Sequence, residues 1–247
     1  MTKEEVLQKC TVSGNFVKLL DVQLDRKEYE QVAKALNLIG GNWKGGKVKA
    51  FVFKYDPTDL LKQIAGGEKV NLKKEYQFFA TPDDLADYLV KIAFTEPFPL
   101  GAVLEPSAGQ GAIIQAIHRI DPDIEVNYCE LMDINRSILS NSCSPVNYLG
   151  DDFFNLPLEC KFATIIANPP FSKNQDIDHI RKMYDHLEPG GRLVTISSKH
   201  WQISSNKKET QFLEWLDSMD TEIEEIEPGR FKSSGTMVGG LIITINK

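Results

Sequence analysis

The stretch Asn168-Pro169-Pro170-Phe171 brings together residue types that could do chemistry. Two successive prolines have fixed φ and no N–H, so they make a stiff turn whose carbonyls need not be consumed by a sheet or helix. The Asn168 carboxamide can set a side-chain acceptor beside the Pro169 carbonyl, and Phe171 can offer a flat apolar face next to both. A planar ring bearing an NH2 group suits that set. The lone pair of such an amine is delocalised into the ring. Two preorganised acceptors that hold both hydrogens out of the ring plane would localise it and aim it, with no strong general base required. Taken alone, the tetrapeptide reads more readily as an ordinary turn, since Asn and Pro are common turn residues.

The elements that must position this stretch change the balance. Residues 162–167 (Phe-Ala-Thr-Ile-Ile-Ala) form a short apolar, β-branched run that has to stop at the prolines, which predicts a strand running into the site. Upstream, residues 102–114 read as a strand, a small-residue loop and the start of a helix. The loop glycines, Gly109 and Gly111, let backbone approach a ligand, and the helix N-terminus presents free N–H groups. This is not the dinucleotide fingerprint, because Ile114 stands where a third glycine would, and no Gly-Lys-Ser/Thr makes it a P-loop. Glu105 would repel a pyrophosphate but suits a cationic ligand or an α-amino group. The next strand, 124–129, ends in Glu130, at the offset where an acid meets ribose hydroxyls, and the strand 146–149 leads to Asp151-Asp152-Phe153. In an open parallel sheet such ends share one edge, so Glu105, Glu130 and Asp152 are expected to converge with Asn168.

Glu105-Pro106-Ser107-Ala108-Gly109-Gln110-Gly111, Glu130, Asp152-Phe153 and Asn168-Pro169-Pro170-Phe171 occur in that order after Phe78-Phe79-Ala80-Thr81-Pro82. Together they resemble the class I S-adenosylmethionine-dependent methyltransferases, and more narrowly the amino-group methyltransferases that modify adenine N6 in DNA. The resemblance spans residues 76–247. It implies S-adenosyl-L-methionine as cofactor. Carried over position by position, it implies that Thr81 meets the methionine carboxylate and Glu105 faces the methionine portion, in a loop completed by Pro106, Ser107 and Ala108. Gly109 and Gly111 would lie against the cofactor, Glu130 would bind the ribose hydroxyls, Asp152 the adenine amino group, and Phe153 would sit beside that ring. Asn168, Pro169, Pro170 and Phe171 would hold the target base, with Phe231 as a second stacking residue. The same motif occurs in enzymes that methylate bases in RNA, and a close variant in those that methylate protein glutamine. Those two activities, and a non-catalytic cofactor-binding subunit, stay open beside the DNA reading.

The implied fold is a Rossmann-like, doubly wound α/β domain with a seven-stranded, mostly parallel sheet whose last strand is antiparallel. In this chain that predicts a helix over 82–94, a helix around 177–187, a turn at Glu188-Pro189-Gly190-Gly191, a fifth strand over 192–197, and a closing pair at 222–227 and 238–245. Residues 1–75 read as a small α+β accessory unit. Tyr29, Val32, Ala33, Leu36 and Ile39 predict a helix over 26–39, Gly45-Gly46 a hairpin, and Asp56-Pro57 a second helix to Ile64, with the unit boundary at 68–75.

Charge separates the two regions. The chain carries net −7, but residues 1–80 hold 14 Lys+Arg against 10 Asp+Glu, and the remainder 14 against 25. Lys44, Lys47, Lys49 and Lys54 interleave with Trp43, Phe51 and Phe53 without an acid among them. That pattern suits nucleic-acid contact, or equally a solvated hairpin with its aromatics packed inward. Family members that methylate specific DNA sequences usually carry a recognition domain, and this chain ends at Lys247. Target reading is therefore expected of residues 1–75 or of a separate target-recognition subunit, with DNA as the first nucleic-acid partner and RNA as the second. Four cysteines and four histidines lie scattered without metal-ligand spacing, and neither a signal pattern nor a bilayer-length apolar run is present. No membrane partner and a reducing, cytoplasmic setting are the expectations.

Overall fold

A computed structural model of the protein describes residues 1–22, 24–72, 80–231 and 239–247. The chain divides into two compact units, Met1–Phe78 and Phe79–Lys247. Among the described residues no helix is long and apolar enough to cross a membrane.

The first unit holds helices Lys3–Gln8, Arg26–Leu38 and Thr58–Ala65 with four short strands, β1 (Thr11–Ser13), β2 (Phe16–Lys18), β3 (Asn42–Lys44) and β4 (Ala50–Val52). These form an antiparallel sheet of order β1-β2-β4-β3. The β3–β4 hairpin and the two later helices lie where the sequence places them. The helix Lys3–Gln8 and the β1–β2 hairpin were not expected, because elements of six and three residues are too short for a hydrophobic period to emerge. Local chemistry does mark two helix starts. Thr2 with Glu5, and Asp25 with Glu28, form reciprocal capping boxes that satisfy otherwise orphaned N–H groups. Val6, Leu36, Ile39, Phe51 and Phe53 lie in the core of this unit.

The second unit is built on a seven-stranded sheet of order β10-β11-β9-β8-β5-β6-β7. Its strands are β5 (Val103–Glu105), β6 (Val126–Cys129), β7 (Val146–Gly150), β8 (Phe162–Ala167), β9 (Leu187–Ser197), β10 (Asp220–Ile226) and β11 (Gly240–Asn246). β9, β8, β5, β6 and β7 run parallel, while β11 is antiparallel to both of its neighbours. The expected doubly wound α/β sheet with an antiparallel last strand is thus the observed one. Every residue of β8 is buried, as a central strand covered on both faces requires. Its side chains alternate between two cores. Ile166 joins the helices Asp83–Ala93 and Ala112–Ile120 on one face, and Ile165 and Ala167 join Gln175–His186 and Lys207–Asp217 on the other. The helices expected over 82–94 and 177–187 are Asp83–Ala93 and Gln175–His186.

The expected turn at Glu188–Gly191 is instead part of β9, which begins at Leu187. The pairing shifts between Phe162 and Thr164, which face Leu187 and Arg192, so the extra residues form an irregularity within the ladder. Glycine makes this feasible: Gly190 has φ +80°, and a Cβ on Gly191 would meet the Ala163 carbonyl oxygen at 2.8 Å. Residues 78 and 79 of the Phe-Phe-Ala-Thr-Pro motif, residues 73–75 of the expected boundary, Val238 and most of the loop 229–236 lie outside the described residues.

At the end of the sheet opposite the candidate site, Arg192 ties β9 to the helix Asp83–Ala93. Its guanidinium donates to the carbonyls of Ile92, Ala93, Thr95 and Pro97 and to Asn246 Oδ1. These include carbonyls that a helix C-terminus leaves without partners, and the cation also opposes the negative end of the helix dipole. Arg192→Met is expected to lower stability by about 2–4 kcal/mol, since hydrogen bonds to a charged group are worth roughly 1.5–3 kcal/mol each and are not additive. A urea midpoint within error of wild type would show that this tie is dispensable.

Candidate active site

The carboxyl ends of the five parallel strands share one edge, and the polar residues stand there in strand order. Ser197 ends β9 and Ser198 follows it, Asn168 follows β8, Glu105 ends β5, Glu130 follows β6 and Asp152 follows β7. Strand order reverses between β8 and β5, so Asn168 and Glu105 flank the switch point where open α/β sheets leave a crevice. Asn168 and Glu130 are two strands apart, roughly 10 Å, a separation that suits a small organic ligand.

The loop after β5 is tied down by its own backbone and by Glu130. Ala108 N–H donates to the Cys129 carbonyl at 3.1 Å, and Gly109 N–H donates to Glu130 Oε2 at 2.7 Å. Glu130 Oε1 accepts from Met132 N–H and from Asn135 Nδ2. Gly109 and Gly111 have φ +55° and +80°. A Cβ on Gly111 would lie 2.6 Å from Leu139 Cδ2 and 2.8 Å from Cys143 Sγ, so its missing side chain serves close packing of the following helix against a neighbour. Pro106 and Ala108 are buried beside it.

Two polar atoms of this loop are buried without a partner among the described residues, Glu105 Oε2 and Ser107 Oγ. Glu105 is 2% exposed, and burial pushes its carboxyl well above the usual carboxylate range. The neighbouring Glu130 charge adds to the effect, and a hydrogen bond from the Ile114 backbone amide counters it in part. Glu130 is also raised by burial, against its donors Met132, Asn135 and Gly109. A buried carboxylate oxygen with no donor fits a ligand that brings a cation or an N–H group.

The Asn168 stretch is held from several sides. Asn168 Nδ2 donates to Thr81 Oγ1 at 3.0 Å, which fixes the plane of the carboxamide. Pro169 is buried, Pro170 and Phe171 are half-buried, and Phe171 packs against the core cluster that contains Phe231. Phe231 itself is 3% exposed. Beyond Phe171 the chain makes a 3-10 turn in which Lys173 and Asn174 take φ +56° and +59°. Such backbone persists where surroundings over-determine it. Here Asn174 Nδ2 donates to the buried Glu209 Oε1 at 2.7 Å, and Lys208 Nζ donates to the Asn174 carbonyl. Asp176, fully buried, accepts from Ser197 Oγ, Ser198 N–H and Ser198 Oγ, and Trp201 Nε1 donates to Ser197 Oγ.

On the far side, Asp152 is exposed and its Oδ1 accepts from Phe154 N–H. Phe153 is 2% exposed against His179 and His186, whereas Phe154 is the exposed ring. Arg136 joins the ends of β6 and β7, donating to the Glu130 carbonyl at 2.8 Å and pairing with Asp151 at 2.6 Å. Arg136, Asn135, Asp176 and Glu209 did not emerge from the sequence. Each is an ordinary helix residue; the partners of Asp176 and Glu209, and Asp151 for Arg136, are brought near only by the fold, whereas Asn135 and Arg136 reach Glu130 from five and six residues away. The acid and amide at neighbouring positions were the available hint.

The family described as "Methyltransferase small domain" matches residues 81–218, within the second unit. No match is found among curated proteins. Among solved structures, the chain is similar to a type I restriction-modification methyltransferase subunit from Streptococcus thermophilus, with TM-score 0.57 and 14% identity over 78% of this chain and 48% of that one. It is also similar to a proposed class I S-adenosylmethionine-dependent methyltransferase from Listeria monocytogenes (0.54, 14%, 76% and 66%). A third is a proposed RNA methyltransferase from Pyrococcus horikoshii (0.53, 16%, 72% and 91%). At these identities the likeness is one of fold, and the chain spans about half the length of the first of the three.

The strained electrostatics of the β5 end have a measurable consequence in the free protein. Because the Glu105 carboxyl titrates higher in the folded than in the unfolded state, the native state holds the extra proton. Stability is then fully present below the unfolded value and falls as pH rises through the folded one. Glu105→Gln is expected to flatten that decline, so the variant gains on wild type as pH rises from about 4.5 towards neutrality. Parallel pH profiles of the urea midpoint would contradict the assignment.

Proposed function

The chain belongs to the methyltransferase small-domain family, and from that premise we propose that it is an N-methyltransferase acting on an exocyclic amino group, with adenine N6 in DNA as the first substrate. The expected cofactor is S-adenosyl-L-methionine, which when bound supplies an electrophilic methyl group. The observation that carries the reading is the Asn168 carboxamide, anchored through Nδ2 on Thr81 at the end of a buried strand and followed by Pro169, Pro170 and Phe171.

The residues fit the cofactor. Glu105 Oε2 and Ser107 Oγ are buried acceptors of this loop that lack a donor among the described residues, and Glu105 would hold the amino end, beside Pro106 and Ala108. Glu130 and the Gly109 amide would meet the ribose, with Gly111 shaping the turn behind them. Asp152 would take the adenine amino group, while Phe153, expected beside that ring, is buried at 2% exposure and Phe154 is the exposed ring there. Thr81 has two claims on it, the cofactor carboxylate and the orientation of Asn168.

The target amine would donate its two hydrogens to Asn168 Oδ1 and the Pro169 carbonyl. Those acceptors localise the nitrogen lone pair while the ring lies on Phe171, and the rigid proline turn keeps both in place without reorganisation. A base inside a duplex cannot reach such a site, so a DNA substrate would present it flipped out. The similar structures described as a restriction-modification methyltransferase subunit and an RNA methyltransferase support testing nucleic acids first. Residues 1–75, or a separate target-recognition subunit, would supply target choice.

The test is transfer of label from radiolabelled cofactor to unmethylated DNA, RNA and protein in parallel. Label in N6-methyladenine of DNA is expected with wild type, and Asn168→Ala should lose at least 100-fold in turnover, the scale of a removed preorganised polar group, with cofactor affinity unchanged. An active Asn168→Ala would refute the role of the carboxamide. Label in RNA or in protein glutamine instead would move the substrate while keeping the chemistry. Tight cofactor binding with no label anywhere would point to a non-catalytic subunit. Thr81→Val, which keeps shape and removes the hydroxyl, is expected to lower kcat more than cofactor affinity. The reverse split would assign Thr81 to the cofactor alone.

A further inference from the structure

Residues 31–55 hold five lysines, Lys34, Lys44, Lys47, Lys49 and Lys54, and no Asp or Glu. The fold turns this stretch into a projecting edge. β3 is the outer strand of its sheet, and every residue from Asn42 to Lys49 is exposed. None of Lys44, Lys47, Lys49 and Lys54 has an ion-pair partner among the described residues. The hairpin tip is compact, closed by Val48 N–H on the Gly45 carbonyl at 3.3 Å, with Gly46 and Lys49 at φ +63° and +43°. Three cations therefore crowd one turn.

The aromatics divide. Phe51 and Phe53 are 0% and 2% exposed and belong to the core, so they are closed to any ligand. Trp43 is 43% exposed on the edge strand. Its ring meets Phe51 and Tyr29 edge-wise, at centroid distances of 5.2 and 6.4 Å, and neither is stacked on it in parallel. Protection of an edge strand against pairing accounts for a lysine such as Lys44. It does not account for lysines massed in the turn, nor for an indole left open to water beside them. Flat aromatic surface next to unpaired cations is what a strand with unpaired bases binds.

We propose that the β3–β4 hairpin binds an unpaired nucleic-acid strand, with Trp43 stacking on a base and Lys44, Lys47 and Lys49 meeting phosphates. The proposal rests on the reading that a nucleic acid is the substrate, and it assigns the first unit a contact of its own. A duplex would offer the lysines phosphates but would keep its base faces from the indole.

The experiment is fluorescence anisotropy of the full chain with labelled single-stranded DNA, single-stranded RNA of the same sequence, and the DNA duplex, each at several salt concentrations. Single strands are expected to bind more tightly than the duplex, and the preferred sugar identifies the natural strand. Lys44→Gln, Lys47→Gln and Lys49→Gln together should weaken binding at least tenfold and reduce the logarithmic salt slope by about 2, since each neutralised phosphate on a single strand contributes about 0.7. Trp43→Ala should weaken binding about tenfold with the slope unchanged, as base stacking on an aromatic side chain predicts. Because Trp43→Ala could unfold the small unit, the fully exposed lysine variant carries the test on its own. Wild-type affinity and slope in the lysine variant, or preference for the duplex, would overturn the proposal. Asn168→Ala serves as the separating control. If it loses label transfer yet binds as wild type while the hairpin variants also bind as wild type, only this inference fails. If hairpin variants lose binding and no substrate is ever methylated, only the proposed activity fails.

Discussion

Two carboxylates, Glu105 and Glu130, sit buried at the ends of adjacent parallel strands, and much of the second unit is arranged around tolerating them. Glu130 is satisfied by two backbone amides and the Asn135 side chain. Glu105 keeps an oxygen with no donor. Burying a carboxyl that keeps an unsatisfied oxygen is costly, and burial answers it by favouring the protonated form of Glu105 within a sheet packed on both faces. The unsatisfied oxygen is the feature a cationic ligand would relieve. Free protein and cofactor-bound protein should therefore differ most in electrostatics at this edge.

The same edge carries a second constraint, the rigidity of the Asn168 stretch. Two prolines stiffen the backbone, but they do not orient the carboxamide. Thr81 does that across 87 residues of sequence. Further along, Asn174, Lys208 and Glu209 hold a left-handed turn, and Asp176 gathers the end of β9 through Ser197 and Ser198. Groups that must act without reorganising have to be fixed in this way by neighbours that never touch the reacting atoms. The helix Lys207–Asp217, outwardly a covering element, thereby takes part in shaping the site.

The first unit obeys different physics. It is small, antiparallel and basic, while the second carries the chain's excess of acids. Exposed charges are screened beyond about 10 Å at 0.1 M salt, so the unpaired lysines of the first unit act over short range. The aromatics of the hairpin illustrate how burial sorts residues of one chemical class. Phe51 and Phe53 stabilise the core, and Trp43, one register position across from Phe51, remains open.

What the sequence determined by itself was whatever depends on local order along the chain. Alternating apolar runs and glycine or proline stops were enough to place β5, β6, β7 and β8, to put Glu105, Glu130, Asp152 and Asn168 at their ends, and to imply a parallel sheet, because strand periodicity and turn chemistry are properties of neighbouring residues. Short elements such as Lys3–Gln8 and the β1–β2 hairpin escaped, as they hold too few residues to show a period. The irregularity inside β9 escaped because Pro-Gly-Gly signals a turn whether or not a ladder runs through it. Only tertiary structure decided which partner each polar group takes. Thr81 on Asn168, Arg136 between two strand ends, Glu209 on Asn174, the burial of Phe153 and the exposure of Trp43 all depend on contacts between distant segments. Those contacts are selected by packing and by the cost of an unsatisfied buried group, neither of which is written in any local window of the chain.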